Sequence, residues 1–177
     1  MTRRSRDPVP AALTHAAKEG SLSAAFLLGR LYDEGWGVRR NYRLAFRWYL
    51  VAARGNLPEA FYFVASAYLF GHGVSKNTRK AFEWFQRSSR AGDLQGAYME
   101  ALSVLEGTGA RRNVASGLRL LLRAARRGSH DAMDFLSAHY SNRGRLRQAK
   151  LWAERAIKAG DIVAPLRLRE IKKLEAR

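Results

Sequence analysis

The sequence predicts an all-α fold, a solenoid of about four stacked helix pairs with a capping helix at each end. Two observations predict it. The stretch "YDEGWGVRRNYRLAFRWY" at residues 32–49 returns 36 residues later, at 68–85, as "YLFGHGVSKNTRKAFEWF". Within each copy, apolar residues recur at intervals of three and four, the spacing of one helix face. Helix pairs that repeat at such a period bury their apolar faces by stacking on one another.

The repeat runs through four copies at this offset. Identical residues recur in the first two copies: Tyr32, Gly35, Gly37, Val38, Asn41, Ala45, Phe46 and Trp48 match Tyr68, Gly71, Gly73, Val74, Asn77, Ala81, Phe82 and Trp84. The third copy, from Val104 to Leu120, keeps the glycines and replaces the aromatic residues with aliphatic ones. The fourth copy aligns Tyr140 with Tyr32 and then lacks four residues. We therefore expect repeats at about 20–55, 56–91, 92–127 and 128–159.

Terminal helices flank the repeats. Residues 9–19 read "VPAALTHAAKE", which is typical of the second helix of a truncated leading unit, and we place a leading helix at 8–19. A capping helix is expected at 161–175, where "RLREIKKLEAR" supplies the polar outer face that keeps the end of an array soluble. We expect one domain over 8–177, preceded by a disordered basic segment at 1–7.

Glycine and asparagine mark the helix ends. The first helix of a unit should end at "GWG", "GHG" or "GTG", because glycine adopts the left-handed conformation that terminates a helix. The second helix should begin after an asparagine that caps the N–H groups of its first turn. These asparagines are Asn41, Asn77 and Asn113. The residues expected to end the second helices are Asn56, Gly92, Gly128 and Gly160.

Small and large residues alternate in the predicted core. Helices approach closely where side chains are small. Two columns of small residues recur in the first helices: Ala24, Ala60, Gly96 and Ala132, and Gly29, Ala65, Ala101 and Ser137. The large residues expected to fill the gaps between pairs are Trp48, Trp84, Leu120 and Trp152. We interpret these tryptophans as core residues and not as binding residues.

Composition limits the class of protein. The 177 residues are 47% hydrophobic and include no cysteine, which excludes disulfides and Cys-based metal sites and fits a reducing compartment. No window holds about 18 uninterrupted apolar residues, the length that a membrane-spanning helix needs. "MTRRSR" is followed by Asp, two Pro and His before any apolar stretch, so we expect no export signal. The predicted location is the cytoplasm.

Catalytic motifs are missing from the sequence. The four histidines are scattered, and there is no HExxH, phosphate-binding loop or nucleophile elbow. His72 lies between two turn glycines, where we expect an exposed loop residue. His139 falls on a buried stripe, where a hydrogen-bonded core histidine is favoured over a ligand. We expect no enzyme activity, no metal and no cofactor.

One segment carries a family resemblance. The stretch "AAFLLGRLYDEGWGVRRNYRLAFRWYLVAA" resembles the Sel-one-like repeat (SLR), a branch of the tetratricopeptide superfamily, and the likeness extends over about residues 9–164. It implies a right-handed α/α superhelix that binds other proteins and seldom catalyses reactions. In that superfamily the first helices line the concave surface and the second helices form the outer one. The fourth copy lacks the Gly-x-Gly-Val turn and is similar to a plain tetratricopeptide pair.

Charge separates the two kinds of helix. The formal net charge is +17. Windows that hold the second helices and their entry loops contain 22 basic residues and two acids, and windows that hold the first helices contain one base and eight acids. The resemblance therefore implies a mildly acidic groove and an arginine-rich outer surface.

A column at the 36-residue spacing, Phe26, Tyr62, Tyr98 and Asp134, is expected to face this groove. Exposed aromatic residues there would be rigid anchors for a partner. The alternative is contact between adjacent first helices, and the sequence leaves both open. The predicted groove comprises Phe26, Arg30, Asp33, Glu34, Tyr62, Leu69, Phe70, Tyr98, Leu102 and Asp134.

The basic face is the second candidate surface. It comprises Arg39, Arg40, Arg43, Arg47, Arg79, Lys80, Arg87, Arg111, Arg112, Arg119, Arg123, Arg126 and Arg127. Such a face attracts acidic or phosphate-rich partners over long range. The alternative is a solvated surface in an arginine-preferring organism.

Three functions follow from these surfaces. The favoured one is a scaffold or adaptor that binds a peptide or partner protein in its groove, with regulatory, effector and toxin-neutralising settings all open. The alternative is electrostatic binding of nucleic acid by the basic face. Association with an anionic membrane ranks last, because the apolar faces are committed to the core. The polar terminal helix favours a monomer.

Overall fold

The computed structural model describes residues 8–175, and these residues form ten α-helices and no strand. The helices are α1 (Pro8–Lys18), α2 (Leu22–Glu34), α3 (Tyr42–Arg54), α4 (Glu59–Phe70), α5 (Thr78–Arg90), α6 (Leu94–Glu106), α7 (Val114–Arg126), α8 (His130–Ser141), α9 (Leu146–Lys158) and α10 (Ala164–Glu175). The prediction of an all-α fold is confirmed. The basic segment 1–7, predicted to be disordered, lies outside the described residues.

The helices group into two compact units. The first unit runs to Asp93 and includes α1 to α5, and the second begins at Leu94 and includes α6 to α10. In the first unit α2 packs on α3 and α4 packs on α5. In the second unit α6 packs on α7, α8 packs on α9, and α10 packs on α9. A single domain over 8–177 stays a prediction.

The first helix of each of the first three repeats ends at the predicted glycine. Gly35, Gly71 and Gly107 have φ angles of 78°, 79° and 85°, in the left-handed region that side chains with a Cβ disfavour. The N–H of Gly35 donates to the carbonyl of Leu31, and the N–H of Gly71 donates to the carbonyl of Ala67, both at 2.9 Å. These bonds satisfy carbonyl groups that a helix end would otherwise leave without a donor.

The asparagine caps are also confirmed. The side-chain oxygens of Asn41, Asn77 and Asn113 accept the N–H three residues ahead at 3.1, 2.9 and 2.9 Å. Each asparagine N–H also donates, at 2.8 Å, to a carbonyl in the preceding first helix, which ties the turn to both helices of the pair. In the fourth repeat, α9 follows Arg145, whose side chain makes no capping bond. The second helices end as predicted, with positive φ at Asn56, Gly92, Gly128 and Gly160.

The small-residue columns are buried in all four repeats. In the first unit, a Cβ added at Gly29 would overlap the ring of Tyr49, so the small residue admits the large one. In the second unit, the buried hydroxyl of Ser137 donates to the carbonyl of Ala149 at 2.9 Å, which satisfies a polar atom inside the core.

The tryptophan prediction needs a correction of one residue. Trp48 and Trp84 are only half-buried and pack at the edge of the core. Within the second helices α3, α5 and α7, the most deeply buried large side chains lie one position later, at Tyr49, Phe85 and Leu121. One residue turns the side chain by about 100° around a helix, which is enough to move it from the edge to the centre of the interface. In the fourth repeat Trp152 itself is buried, and the next position is occupied by Ala153.

Candidate partner-binding surfaces

Every residue predicted for the basic face is exposed. In the first unit these residues lie on α3, α5 and the loop before α3, and in the second unit they lie on α7, its entry loop and the residue that follows α7. Arg79 forms an ion pair with Glu83 at 3.7 Å, and both side chains are largely in solvent, so the pair neutralises little of the surface.

Some of these cations cover aromatic rings. The guanidinium of Arg87 lies 4.5 Å from the centre of the Trp84 ring, and the ammonium of Lys80 lies 5.4 Å from that of Tyr68. Such contacts favour the cation over the negative face of the ring. They also explain how a half-buried tryptophan is shielded from water on its outer side.

In the first unit, Phe26 makes the contact between adjacent first helices that the sequence left open. Its ring lies 5.4 Å from that of Phe63 on α4 and 5.8 Å from that of Tyr49 on α3. Tyr62 is half-buried, with its ring 5.9 Å from that of Phe85. Both predicted anchors therefore contribute to packing and present only part of their surface to a partner.

The charged residues of α2 have partners inside the first unit. Asp33 accepts a hydrogen bond from the Tyr49 hydroxyl at 3.1 Å, and Arg30 pairs with Glu34 at 3.8 Å. The Arg30 guanidinium also lies 5.3 Å from the ring centres of Trp36 and Phe63. Burial, followed by the negative charge of Asp33, raises the pKa of Tyr49 far above its usual value, so this phenol is a hydrogen-bond donor at neutral pH.

An exposed group of rings lies where α4 ends. Phe70 is 61% exposed, and its ring lies 5.7 Å from that of His72. His72 in turn stacks on Tyr42 at 4.8 Å, with 16° between the ring planes. We call Tyr42, Phe70 and His72 the aromatic edge. Leu69, the neighbouring residue predicted for the groove wall, is half-buried.

Sequence reasoning found only part of this edge. It placed Phe70 in the groove wall and His72 in solvent, and both residues are exposed. It missed the stack on Tyr42, 30 residues earlier. The sequence carried no local signal for this stack, because the two rings meet only through packing between repeats.

In the second unit, the predicted groove residues Tyr98, Leu102 and Asp134 are half-buried. Burial raises the pKa of Tyr98, and the carboxylates of Asp131, Asp134 and Glu106 raise it further. Asp134 is already paired: Arg167 of α10 donates from Nε at 2.5 Å and from Nη2 at 2.8 Å to its two oxygens. Sequence reasoning did not identify Arg167.

His139 is half-buried and hydrogen-bonded. Its Nδ1 lies 3.0 Å from Nη1 of Arg143, and because arginine can only donate, the histidine accepts and is neutral. Burial lowers the pKa of His139, and the positive charges of Arg143 and Arg145 lower it further. Within residues 8–175 no cluster of three or more His, Cys, Asp or Glu is arranged to hold a metal ion. No helix in this range is long and apolar enough to cross a membrane.

Comparison with protein families matches four segments of the chain to the Sel1 repeat, at residues 22–57, 58–93, 97–129 and 131–161. Together the segments cover more than half of the chain. No curated protein matches the chain.

Solved structures have the same fold. A protective antigen of uropathogenic Escherichia coli with an SLR fold is 24% identical, with a TM-score of 0.82 over 94% of this chain and 37% of the antigen. A Sel1 repeat protein from Oxalobacter formigenes is 27% identical, with a TM-score of 0.79 over 91% of this chain and 69% of that protein. An immunity protein from Pseudomonas aeruginosa is 17% identical, with a TM-score of 0.61 over 92% of this chain and 62% of that protein. The chain spans little more than a third of the antigen's length. The similarity to these structures confirms the predicted solenoid fold class.

Proposed function

The chain belongs to the Sel1-repeat family, and we propose that it is a non-enzymatic scaffold or adaptor that binds a partner protein through its first helices and the residues that border their C-terminal ends. Sel1-repeat proteins generally mediate protein–protein interactions, and the family is typically non-catalytic. In tetratricopeptide-type repeats the first helices line the binding surface, which is why we assign the partner to this side.

The aromatic edge is the observation that carries the proposal. Phe70 is 61% exposed at the end of a first helix, and the stacked rings of His72 and Tyr42 lie beside it. A ring fixed by its neighbours loses little side-chain entropy when a partner covers it, and aromatic residues dominate the energetics of many interfaces. Single exposed apolar residues are ordinary, whereas three rings in contact form a surface that a partner can bury.

Some residues predicted for the groove are held by contacts inside their own unit. Asp33 and Asp134 are engaged by Tyr49 and Arg167, so we assign them to positioning the helices and not to gripping a ligand. Phe26, Tyr62 and Tyr98 remain candidate contacts through their exposed parts. We expect Phe70 to contribute more than any of them, because it has the largest exposed area to bury.

A pull-down from native extract tests this proposal. Phe70→Ala should weaken capture of the partner by at least tenfold, the effect of losing a hot-spot side chain of about 1.4 kcal/mol or more. The matched control is Leu151→Ala on the second helix α9, since Leu151 is also an exposed apolar residue at 45%. Extract treated with nuclease in parallel separates protein partners from nucleic acid. Equal capture by both variants would refute the aromatic edge as the site.

The exposed basic face favours nucleic-acid binding as the second candidate function. All 13 of its predicted residues are exposed, and contacts between phosphates and arginine make the affinity fall steeply with salt. We expect weak binding without sequence preference, since nothing in the sequence resembles a reading helix or a known stacking motif. A titration of a random duplex at several salt concentrations tests this, and a flat salt dependence would rule it out.

We also propose a cytoplasmic monomer. The lack of cysteine fits a reducing compartment, and α10 presents several charged side chains to solvent. Sedimentation at several protein concentrations should give one species of constant mass, and fractionation of the native cell should recover the protein with cytoplasmic markers. A mass that rises with concentration would contradict the monomer.

A further inference from the structure

The connection between α8 and α9 is shorter than its counterparts in the other repeats. It contains four residues, 142–145, whereas the connections at 35–41, 71–77 and 107–113 each contain seven. The missing residues belong to the Gly-x-Gly-Val turn. A short connection leaves room where the longer turn would have packed.

The first unit shows where the longer turn packs. Gly73 lies against the backbone at the start of α3, so closely that an added Cβ would overlap the carbonyl group of Tyr42 and approach the nitrogen of Arg43 to 2.6 Å. The preceding residue, His72, stacks its ring on that of Tyr42. The turn between α4 and α5 therefore packs on the first residue of α3, the second helix of the preceding repeat, and leaves Tyr42 37% exposed.

In the second unit the equivalent position lacks such a packed glycine turn. Val114, the first residue of α7, corresponds to Tyr42, and the two residues are 39% and 37% exposed. Gly144, in the short connection, has nothing within 4 Å of the place where a Cβ would be, so it does not pack against a helix as Gly73 does. A concavity of about 550 Å³ lies here, and we call it the α7 notch. It is lined by Leu105, Glu106, Arg112, Val114, His139 and Arg143.

Two arginines give the α7 notch a positive wall. Arg112 donates from Nε to the carbonyl of Leu105 at 3.4 Å, and Arg143 donates from Nη1 to Nδ1 of His139 at 3.0 Å. These bonds hold each guanidinium at the wall through one nitrogen. Its other nitrogens can still donate to a ligand. Against these two positive charges the notch contains one carboxylate, that of Glu106, while His139 is neutral as the acceptor of Arg143.

We propose that the α7 notch binds an acidic turn of a partner protein. The turn would pack on Val114 and Leu105 as the "GHG" turn packs on Tyr42 in the first unit, and its carboxylate would bind between Arg112 and Arg143. In the first unit a turn packs on the equivalent residue, Tyr42, which favours a turn as the occupant. The guanidinium groups of Arg112 and Arg143 favour a turn that carries a carboxylate. This site is separate from the aromatic edge, and either assignment can fail without the other.

A pair of blocked peptides tests the proposal on the whole chain. Both are labelled hexapeptides without free termini, one with Gly-Asp-Gly-Val at its centre and the other with Gly-Asn-Gly-Val. Near physiological ionic strength the aspartate peptide should bind at least about tenfold tighter, the effect of a charge-assisted hydrogen bond. The amide signals of Val114, His139 and Arg143 should shift in a ¹H–¹⁵N spectrum. Equal affinities, no binding of either peptide, or shifts confined to other residues would overturn the proposal.

Variants separate this site from the general positive charge of the chain. Arg112→Gln with Arg143→Gln should abolish the preference for aspartate. Arg119→Gln with Arg123→Gln removes the same charge from exposed positions of α7 and should leave the preference intact. Equal losses in the two double variants would show nonspecific attraction and overturn the proposal.

Substituting Val114 gives a test that leaves the charge unchanged. Val114→Tyr introduces the residue on which the "GHG" turn packs in the first unit, so it should bind the aspartate peptide at least as tightly as the wild type. Val114→Ser removes most of the apolar surface that the turn would cover and should weaken binding, and a thermal melt confirms that both variants fold. Unchanged binding to folded Val114→Ser, loss of binding to folded Val114→Tyr, or competition by inorganic phosphate as strong as that by the aspartate peptide would overturn the assignment to a turn.

Discussion

Arg167 on α10 and Asp134 on α8 form a two-bond ion pair, with Nε 2.5 Å from Oδ1 and Nη2 2.8 Å from Oδ2. The two side chains are 29% and 28% exposed, so solvent screens the pair only in part. Because α10 packs on α9, this pair adds a direct link from the terminal helix to the preceding first helix. The planar guanidinium donates two parallel hydrogen bonds to the two oxygens of one carboxylate, whereas lysine has a single ammonium group and cannot form this arrangement.

Removing either partner of this pair should destabilise the second unit. We expect Arg167→Gln and Asp134→Asn each to lower the free energy of unfolding by about 1 to 2 kcal/mol, between the values for exposed ion pairs and for hydrogen bonds to charged groups. Urea unfolding measures the loss. In the double variant the second substitution should cost little, and fully additive losses would show that the two side chains are not coupled.

Each asparagine cap should stabilise the folded chain through the first turn of its own helix. Asn77→Ala removes the oxygen that accepts the N–H of Lys80 and should cost about 1 kcal/mol, with about 0.5 to 2 kcal/mol as the usual range. Asn77→Asp keeps an acceptor and should restore most of the stability. Chemical unfolding of the two variants side by side checks this, and equal losses would show that the cap is unimportant here.

These caps were predictable from sequence because they depend on residues within one turn of the chain. In any helix that begins after the asparagine, its side-chain oxygen lies within hydrogen-bond distance of the N–H three residues ahead. The glycine turns were predictable for the same reason. Local chemistry at a repeated spacing therefore gave the helix ends and the pairing.

The remaining features depend on contacts distant in sequence. Asp134 and Arg167 are 33 residues apart, and Tyr42 and His72 are 30 apart, so neither pair lies within a local pattern. Whether Trp48 or Tyr49 is the more deeply buried depends on how α3 is rotated about its axis, and the alignment of the tryptophans does not specify that rotation. The groove column was ambiguous because a half-buried aromatic such as Phe26 can serve packing and recognition together.

The turn glycine Gly73 should tolerate substitution less well than Gly144. Both have positive φ, 73° and 67°, and alanine there costs about 1–2 kcal/mol for the left-handed conformation alone. At Gly73 the new Cβ would also overlap the backbone of Tyr42, whereas at Gly144 it would meet open space. Thermal unfolding should therefore show a clearly greater loss for Gly73→Ala. Equal losses would mean that the turn can move away from α3, which would also weaken the comparison behind the α7 notch.

Alkaline pH should destabilise the first unit through Tyr49. Its pKa is raised by burial and by Asp33, so between the ordinary value near 10 and the higher folded value only the unfolded chain loses the proton. The stability is therefore complete below pH 10 and declines above it. Tyr49→Phe should show a shallower decline above about pH 10, despite a lower stability at neutral pH from loss of the bond to Asp33. Parallel slopes would contradict the assignment.

Mild acid should act in the second unit through His139. Its folded pKa lies below the ordinary value near 6.5, because burial and the charges of Arg143 and Arg145 disfavour the cation. Between the two values the unfolded chain binds the proton and the folded chain does not, so the free energy of unfolding falls as the pH drops below about 6.5. His139→Gln keeps an acceptor for Arg143 and should flatten this dependence.

Arg143→Gln provides the matched test of the cause. Without the guanidinium the pKa of His139 should move back toward its ordinary value, but only in part, because burial is the larger cause of the shift. The pH dependence of unfolding should then be intermediate between wild type and His139→Gln. Unfolding curves recorded from pH 7 to about 5 distinguish the three, and a wild-type slope in His139→Gln would assign the acid sensitivity to another group.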